Sequence, residues 1–273
     1  MGLGWNLWSA FALGAAWSAF LIASRRRYRA LPRIAVPEQP DPAPDCMVVI
    51  PARDEAKTIA RAIASLPPDS VIVADDHSSD DTAKVASGCG AGVIPAPPLP
   101  RNGIGKSNAC AAAARALTSR WVLFADADTW YEKDFLASAV ACAEASGLSF
   151  LSILLQPECK TFAERVLVPY ARALFFCGAS PAGNPNALFS GQCLLVRREP
   201  YLFIGGHHAV VPELVEDVRL TALAQRHRMN LAVARGDTLG HARLYTGFRG
   251  IWSGIERHAF RFMLVSPWIG ISI

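Results

Sequence analysis

No two of the seven cysteines, at positions 46, 89, 110, 142, 159, 177 and 193, stand in a CxxC pair, and their number is odd. That excludes a disulfide framework and a zinc ribbon, and it reads as scattered, reduced, mostly buried thiols of a cytosolic domain. The central chain also lacks an excess of basic residues. The formal net charge of +4 is made at the two ends, with five arginines against three acids in residues 1–45 and four against one in residues 241–273, which leaves the middle near −1. A nucleic-acid binder needs a basic face on its folded domain. This chain has neither that nor a nucleic-acid motif, so no nucleic-acid partner is expected; basic flanks against anionic lipid fit better.

Charge is missing altogether from residues 5–24, WNLWSAFALGAAWSAFLIAS. At helical rise this run is long enough to cross a hydrocarbon core. A spanning N-terminal helix over residues 1–29 is therefore expected, with Trp5 and Trp8 near one interface. Arg25, Arg26, Arg27 and Arg29 follow at once and place the rest of the chain on the cytoplasmic side of the inner membrane. A cleaved signal peptide is disfavoured, because the basic residues follow the apolar run and no small-residue cleavage pattern is evident.

What is present is apolar. Over 273 residues the chain is 52% hydrophobic, with mean hydropathy +0.23, which excludes disorder and supplies a large core. Prolines at 32, 37, 40, 42 and 44 predict an extended, semi-rigid linker over 30–45. From residue 46 short β-rich runs alternate with helical ones: CMVVIP (46–51), a helix from Glu55 to Leu66, SVIVAD (70–75), a helix near 80–87, GVIPA, a helix from Lys106 to Ser119, WVLFA (121–125), a helix around 132–145 and LSFLSILL (148–155). Repeated units of this length predict an α/β fold with a mainly parallel sheet over 46–240. A membrane-proximal apolar segment over 241–273 follows, stopping inside a short apolar run from Phe262 that reads as truncated or interfacial.

In such sheets ligands collect beyond the carboxyl ends of the strands. Three of those ends carry chemistry: Pro51 to Glu55, then Asp75, Asp76 and His77, then Asp126 and Asp128. If residues 126 to 128 continue the strand, both carboxylates face one way and can share a hard cation. The plain alternative is a helix start, capped by Asp128 or Thr129. A haloacid-dehalogenase-type phosphatase wants Thr or Val two positions after the second aspartate, where this chain has Trp130. GIGKS (103–107) imitates a phosphate loop but has Pro100 where that loop needs Gly; a nucleotidyl or phosphoryl transferase stays open as an alternative, as does a non-catalytic membrane scaffold. His207 and His208 read as a loop or acceptor contact, since adjacent side chains cannot readily share a tetrahedral ion.

Taken in order, VVIPARDEA (48–56), VADDHSSDDT (73–82), GKSNA (105–109), FADADTW (124–130), SGQCLLVRREPYLFIGGH (190–207) and VEDVRL (215–220) resemble the landmarks of family 2 glycosyltransferases of the GT-A fold. DDHS and RLYTGFRGIWSG (243–254) resemble the hopanoid- and carotenoid-associated membrane branch. The resemblance implies a nucleotide-diphosphate sugar as donor, a UDP-sugar in the first place, and a lipid-like or small hydroxyl acceptor. It implies that Asp75 and Asp76 hold the uridine, helped by Pro51, Ala52, Arg53 and Glu55, and that Lys106 sits near the diphosphate or donor sugar. Asp126 and Asp128 would hold Mn²⁺ or Mg²⁺ against the diphosphate, while Gly191 and Gln192 approach the sugar. Asp217, beside Glu216, would be the general base of an inverting displacement. Arg243 and Arg249 would stabilise the departing diphosphate; His241 is within range of a metal or diphosphate role, but a lone histidine carries little weight. The chain lacks QxxRW, the signature of processive synthases, which favours transfer of a single sugar.

Overall fold

The computed structural model describes residues 2–100, 103–176, 189–213, 216–243 and 245–254. The chain opens with helix α1 (Gly2–Ala30) and then alternates through β1 (Cys46–Ala52), α2 (Ile59–Ala64), β2 (Val71–Asp75), α3 (Thr82–Gly88), β3 (Gly92–Pro95), α4 (Gly105–Ala116) and β4 (Trp121–Ala125). A second half follows as β5 (Thr129–Tyr131), α5 (Phe135–Ala145), β6 (Phe150–Leu154), β7 (Gln156–Pro157), α6 (Phe162–Phe176), β8 (Cys193–Arg197), α7 (Arg198–Phe203), α8 (Glu216–Arg226), β9 (Leu231–Arg235) and β10 (Gly240–Ala242).

Seven strands form one sheet in the order β3-β2-β1-β4-β8-β6-β9. The first four run parallel, β8 runs antiparallel to both β4 and β6, and β6 and β9 are again parallel. The central strands are buried on both faces because helices cover both, which is why β1 and β4 read as unbroken apolar runs rather than alternating ones. Ile59, Ala62 and Ile63 of α2 pack with Phe135, Ala139 and Ala143 of α5 on one side. Ala109, Ala113 and Ala114 of α4 pack with Leu220 and Ala224 of α8 on the other. The alanine-rich sequences of α4 and α5 favour helix formation, and their short side chains let each helix approach the sheet closely.

A small sheet, β5-β10-β7, stands beyond the carboxyl end of β4. It pairs His241 with Trp130 on one side and with Gln156 on the other.

The mainly parallel α/β sheet agrees with the sequence pattern, with several local differences. Helix α2 is shorter than the span from Glu55 to Leu66, because residues 55 to 58 form hydrogen-bonded turns before it. The aspartates at 126 and 128 lie on a turn rather than an extended strand: the Thr129 N–H and hydroxyl both bond the Asp126 carbonyl, at 3.2 and 2.7 Å. The chain then enters β5, so strand alternation is not what brings the two carboxylates together. The segment after α1 is extended as expected, but its first residues dock on the sheet, with Ile34 N–H on the Arg235 carbonyl at 2.9 Å and Ile34 itself in the core.

The N-terminal prediction needs correcting. Residues 2–30 are helical, yet among the described residues no helix is long and apolar enough to cross a membrane. Trp8, Ser9, Gly14, Trp17 and Ser18 dilute the apolar run, and Arg25 closes it. The apolar run from Phe262 lies outside the described residues. Six of the cysteines are described, and all six are free thiols.

Candidate active site

The carboxyl ends of β1 and β2 lie side by side, with Ala52 paired to Asp75. The loops beyond them are stapled together by the acids and hydroxyls of DDHSSDDT. Ser78 Oγ accepts the Asp54 N–H (3.1 Å), Thr82 Oγ1 accepts the Glu55 N–H (2.8 Å) and Asp80 Oδ2 accepts the Ala56 N–H (3.2 Å). Half of that motif is thus architectural. Asp76 is buried, is bonded through its N–H to the Ala52 carbonyl at 2.8 Å, and faces Arg53 Nη1 at 3.6 Å. Gly105 at the start of α4 lies directly on it: a Cβ there would stand 1.8 Å from Asp76 Oδ2, so the close approach needs glycine. Asp75 keeps one buried carboxylate oxygen, Oδ1, without a hydrogen-bond partner.

The loop leading into β8 joins the remaining acids. The Asp126 N–H bonds the Gln192 carbonyl at 3.1 Å, the Gly191 N–H bonds Asp217 Oδ2 at 3.1 Å, and the Gly191 carbonyl faces Lys106 Nζ at 3.4 Å. Lys106 Nζ lies 2.7 Å from Asp126 Oδ1 and 3.5 Å from Glu216 Oε1. Four distant stretches therefore meet around one ammonium group. Burial works against the charge of Lys106, but Asp126 and Glu216 outweigh it and hold the ammonium firmly protonated. The carboxylates respond oppositely. Burial, then the negative charges of Asp126 and Glu55, push Asp128 up to about 7. Burial, then Glu216, push Asp217 up to about 6. Beside Lys106 lies a cavity of about 10 Å³, room for about one water, lined by Lys106, Asp126, Gly191, His207, Glu216 and Asp217.

Among the described residues no cluster of three or more His, Cys, Asp or Glu could hold a metal ion. The residues do fit a cation that takes its remaining ligands from a bound phosphate. Asp126 and Asp128 share one tight turn, and Asp128 Oδ1 is buried without any partner. Asp128 is also held toward its protonated form by neighbouring anions, a situation an added positive charge relieves.

Arg243 lies next to the turn through its backbone, whose N–H bonds the Asp128 carbonyl at 2.9 Å. Its guanidinium is held by Glu158 Oε2 at 3.4 Å and Glu164 Oε1 at 3.3 Å. Glu164 is fully buried and makes more bonds than any acid of the cleft: it accepts the N–H groups of Lys160 (2.6 Å), Thr161 (3.1 Å) and Gly247 (2.7 Å). Those bonds, the Gly247 one first, hold its carboxyl down at about 2. Arg249 is exposed. His241 stacks on Trp130 at 5.5 Å and reaches Glu132 Oε1 at 3.2 Å, while Arg61 covers the other partner of the stack, 3.3 Å from the Trp130 ring centre. Sequence reasoning passed over Glu158, Glu164, Arg61 and Trp130. Thr161-x-x-Glu164 at a helix start is a capping box, which was the signal available for Glu164.

Residues 47–202 match the family model described as glycosyl transferase family 2. The chain is 27% identical over 225 residues to the 4,4'-diaponeurosporenoate glycosyltransferase of Staphylococcus aureus, covering 77% of this chain and 60% of that protein. The enzyme of that name from Staphylococcus haemolyticus is 27% identical over 226 residues. The chain thus spans about 60% of the length of the curated relatives it matches. Among solved structures, a mannosyltransferase from Pyrobaculum calidifontis in complex with GDP-Man and Mn²⁺ superposes with TM-score 0.61 at 24% identity, over 92% of this chain and 71% of that one. Glucosyl-3-phosphoglycerate synthase from Mycobacterium tuberculosis, in complex with Mn²⁺, UDP and glucosyl-3-phosphoglycerate, superposes with TM-score 0.52 at 20% identity, over 84% of this chain and 81% of that one. At these identities the likeness to solved structures shows the fold alone, the GT-A arrangement of a mainly parallel mixed sheet.

Proposed function

The chain belongs to glycosyl transferase family 2, and from that premise we propose that it moves one sugar from a nucleotide diphosphate to a lipid-like hydroxyl acceptor by a single inverting displacement. The observation that carries this reading is the Gly191–Gln192 backbone, which fastens Asp126 on one side and Asp217 on the other. Inverting transfer needs the leaving group neutralised on one face of the sugar and a base on the opposite face. The cleft supplies both from segments far apart in sequence.

In this reading Asp75, with its unpartnered buried oxygen, accepts the ring N–H of uracil, and Asp76, locked by Arg53 and by the backbone, shapes the floor of that subsite. Pro51, Ala52 and Glu55 complete its wall. Lys106 carries a fixed positive charge beside Asp126, where a diphosphate would lie. Asp126 and Asp128 would hold a divalent cation, Mn²⁺ as in the two structural neighbours named above, which offsets phosphate charge and improves the leaving group. Asp217, raised to about 6, removes the acceptor's proton near neutral pH, because a base is most effective when its pKa lies near the working pH. Arg243 has only two long carboxylate contacts, at 3.3 and 3.4 Å, and is placed to re-aim at the departing diphosphate.

A lipid acceptor accords with the carotenoid substrate in the name of the curated relatives and with the surface of α1. That helix exposes Trp8 (76%), Phe11 and Leu13, and packs on α6, which exposes Phe162 (83%). The arginines at 25, 26, 27 and 29 follow, a pairing of apolar and basic surface that suits the anionic cytoplasmic face of a membrane. The test is a screen of UDP- and GDP-sugars for donor hydrolysis and for transfer to polyprenyl or carotenoid acceptors in mixed micelles. Activity should require Mn²⁺; full activity in a chelator, or preference for ATP over any nucleotide sugar, would overturn the reading.

A further inference from the structure

The Gly205-Gly206-His207 turn places a histidine in the wall of the catalytic cavity, where the sequence suggested only a loop or acceptor contact. His207 is 5% exposed and lines the cavity together with Lys106, Asp126 and Asp217. Its ring packs edge-on against Phe124 of β4, 4.5 Å between centres. Two glycines make this placement possible. Gly205 has φ +85° and Gly206 φ +49°, both in the left-handed region, and a Cβ on Gly206 would lie 2.4 Å from Cζ of Tyr201. The turn is therefore shaped to press His207 against the Tyr201 hydroxyl.

That contact fixes where the ring proton sits. The Tyr201 hydroxyl accepts the backbone N–H of His207 at 2.9 Å and lies 2.8 Å from its Nδ1. The phenol is buried, which keeps it protonated, and among the described residues Nδ1 is the only acceptor within reach of its proton. The hydroxyl therefore donates to Nδ1, and the single ring proton is left on Nε2. Nε2 has no partner among the described residues. Burial, then the charge of Lys106, oppose a second proton and push the imidazolium down to about 3.

We propose that His207 is a sugar-binding residue, its Nε2–H a permanently neutral donor aimed at a hydroxyl oxygen of the sugar being transferred. This rests on the glycosyltransferase reading and deepens it. A neutral donor in the same cavity as Lys106 and Asp217 recognises an uncharged oxygen without adding a second cation to compete for Asp126 or Asp217. It also disfavours analogues lacking that hydroxyl, because the N–H facing the cavity would then meet no acceptor on the sugar.

The test uses the full chain labelled with ¹⁵N-histidine. Between about pH 5 and 8 His207 should show one signal set, Nε2 protonated and Nδ1 not, and Tyr201→Phe should abolish that single tautomer. His207→Leu should lower kcat/KM for transfer on the order of 10- to 100-fold while UDP and GDP affinity stay as in the parent; Tm should fall, because the buried Tyr201 hydroxyl loses its acceptor. His207→Gln, which keeps an N–H near that position, should restore most of the loss. A protonated Nδ1, a titration near 6.5, or a folded His207→Leu protein with unchanged transfer would each overturn the proposal. The glycosyltransferase reading fails separately, through absent donor hydrolysis in the parent protein, while the tautomer remains readable by NMR.

Discussion

Two sets of carboxylates, linked through Arg243, behave oppositely in this molecule. In the cleft, burial and then the crowding of Asp126, Glu55 and Glu216 raise Asp128 to about 7 and Asp217 to about 6. Among the described residues Asp128 Oδ1 has no donor, and Asp217 has only the N–H groups of Gly191 and Val218. On the rim, Glu164 is fully buried where Asp128 and Asp217 are half-buried, yet it sits near 2, because three backbone N–H groups, that of Gly247 first, and Arg243 satisfy it. Burial and neighbouring negative charge raise a carboxylate, hydrogen-bond donors and a cation lower it, and the balance decides its fate. A fully supplied acid is a structural fastener. An undersupplied one is poised for a proton, a cation or a substrate, and it marks where the chemistry lies.

The sharpest way to break that contrast is to neutralise an acid on each side. Asp217→Asn should lower kcat for transfer by roughly 10²- to 10⁴-fold with little change in Tm, as expected for loss of a general base. In the parent, the rate should rise as pH passes about 6, where Asp217 ionises. A variant with parental kcat, or a flat profile through that window, would remove Asp217 from the reaction.

Asp128 gives a thermodynamic version. Its carboxyl titrates near 7 when folded against an ordinary value of 3.8, so the unfolded chain loses the proton first. Its contribution therefore favours the folded state at low pH, and that stability is lost as pH rises from about 4 through about 7. A cation that binds the ionised form should reverse the loss. The gain in Tm from Mn²⁺ should accordingly be larger at pH 8 than at pH 5, and Asp128→Asn should erase the difference between the two. An Mn²⁺ effect independent of both pH and Asp128 would place the ion elsewhere.

The smallest expected effect belongs to the rim. Glu164→Gln should cost about 1–3 kcal/mol of stability, through the capping box and the anchor at Gly247, with only a modest change in nucleotide affinity. The sign with pH is the reverse of the previous case. A depressed carboxyl stabilises above the ordinary value of 4.5, and that stability is lost as pH falls from there toward about 2. Thermal melts of parent and variant should therefore converge in acid; parallel curves down to pH 2 would show that Glu164 is not the fastener described.

Much of this was readable from the chain alone, for identifiable reasons. Buried parallel strands must be apolar throughout, so CMVVIP and WVLFA announced themselves, and the acids at their ends followed from the rule that polar groups gather where strands stop. The resemblance marked Gly191 as a close approach to the sugar, while the contact of Gly105 with Asp76 emerged only from the packing. The turn at Asp126 to Asp128 was not legible, because a three-residue strand such as β5 has too short a pattern to distinguish from a helix start. The N-terminal run misled for a related reason: freedom from charge was read as sufficient hydropathy, although the tryptophans, serines and glycine within the run make it only weakly apolar. The Glu158–Glu164–Arg243 clasp escaped because its members lie 85 and 79 residues from each other's partner, and nothing local marks them.

The amino-acid order by itself settled the layered α/β architecture, the family and the set of acids available for chemistry, since periodicity and short motifs are local properties of a chain. Which acids would be starved of donors and which would be fed was settled only by tertiary packing. That outcome depends on the low-dielectric surroundings and the long-range neighbours each carboxylate meets, as when the Gly191–Gln192 backbone draws Asp126, Asp217 and Lys106 into one space.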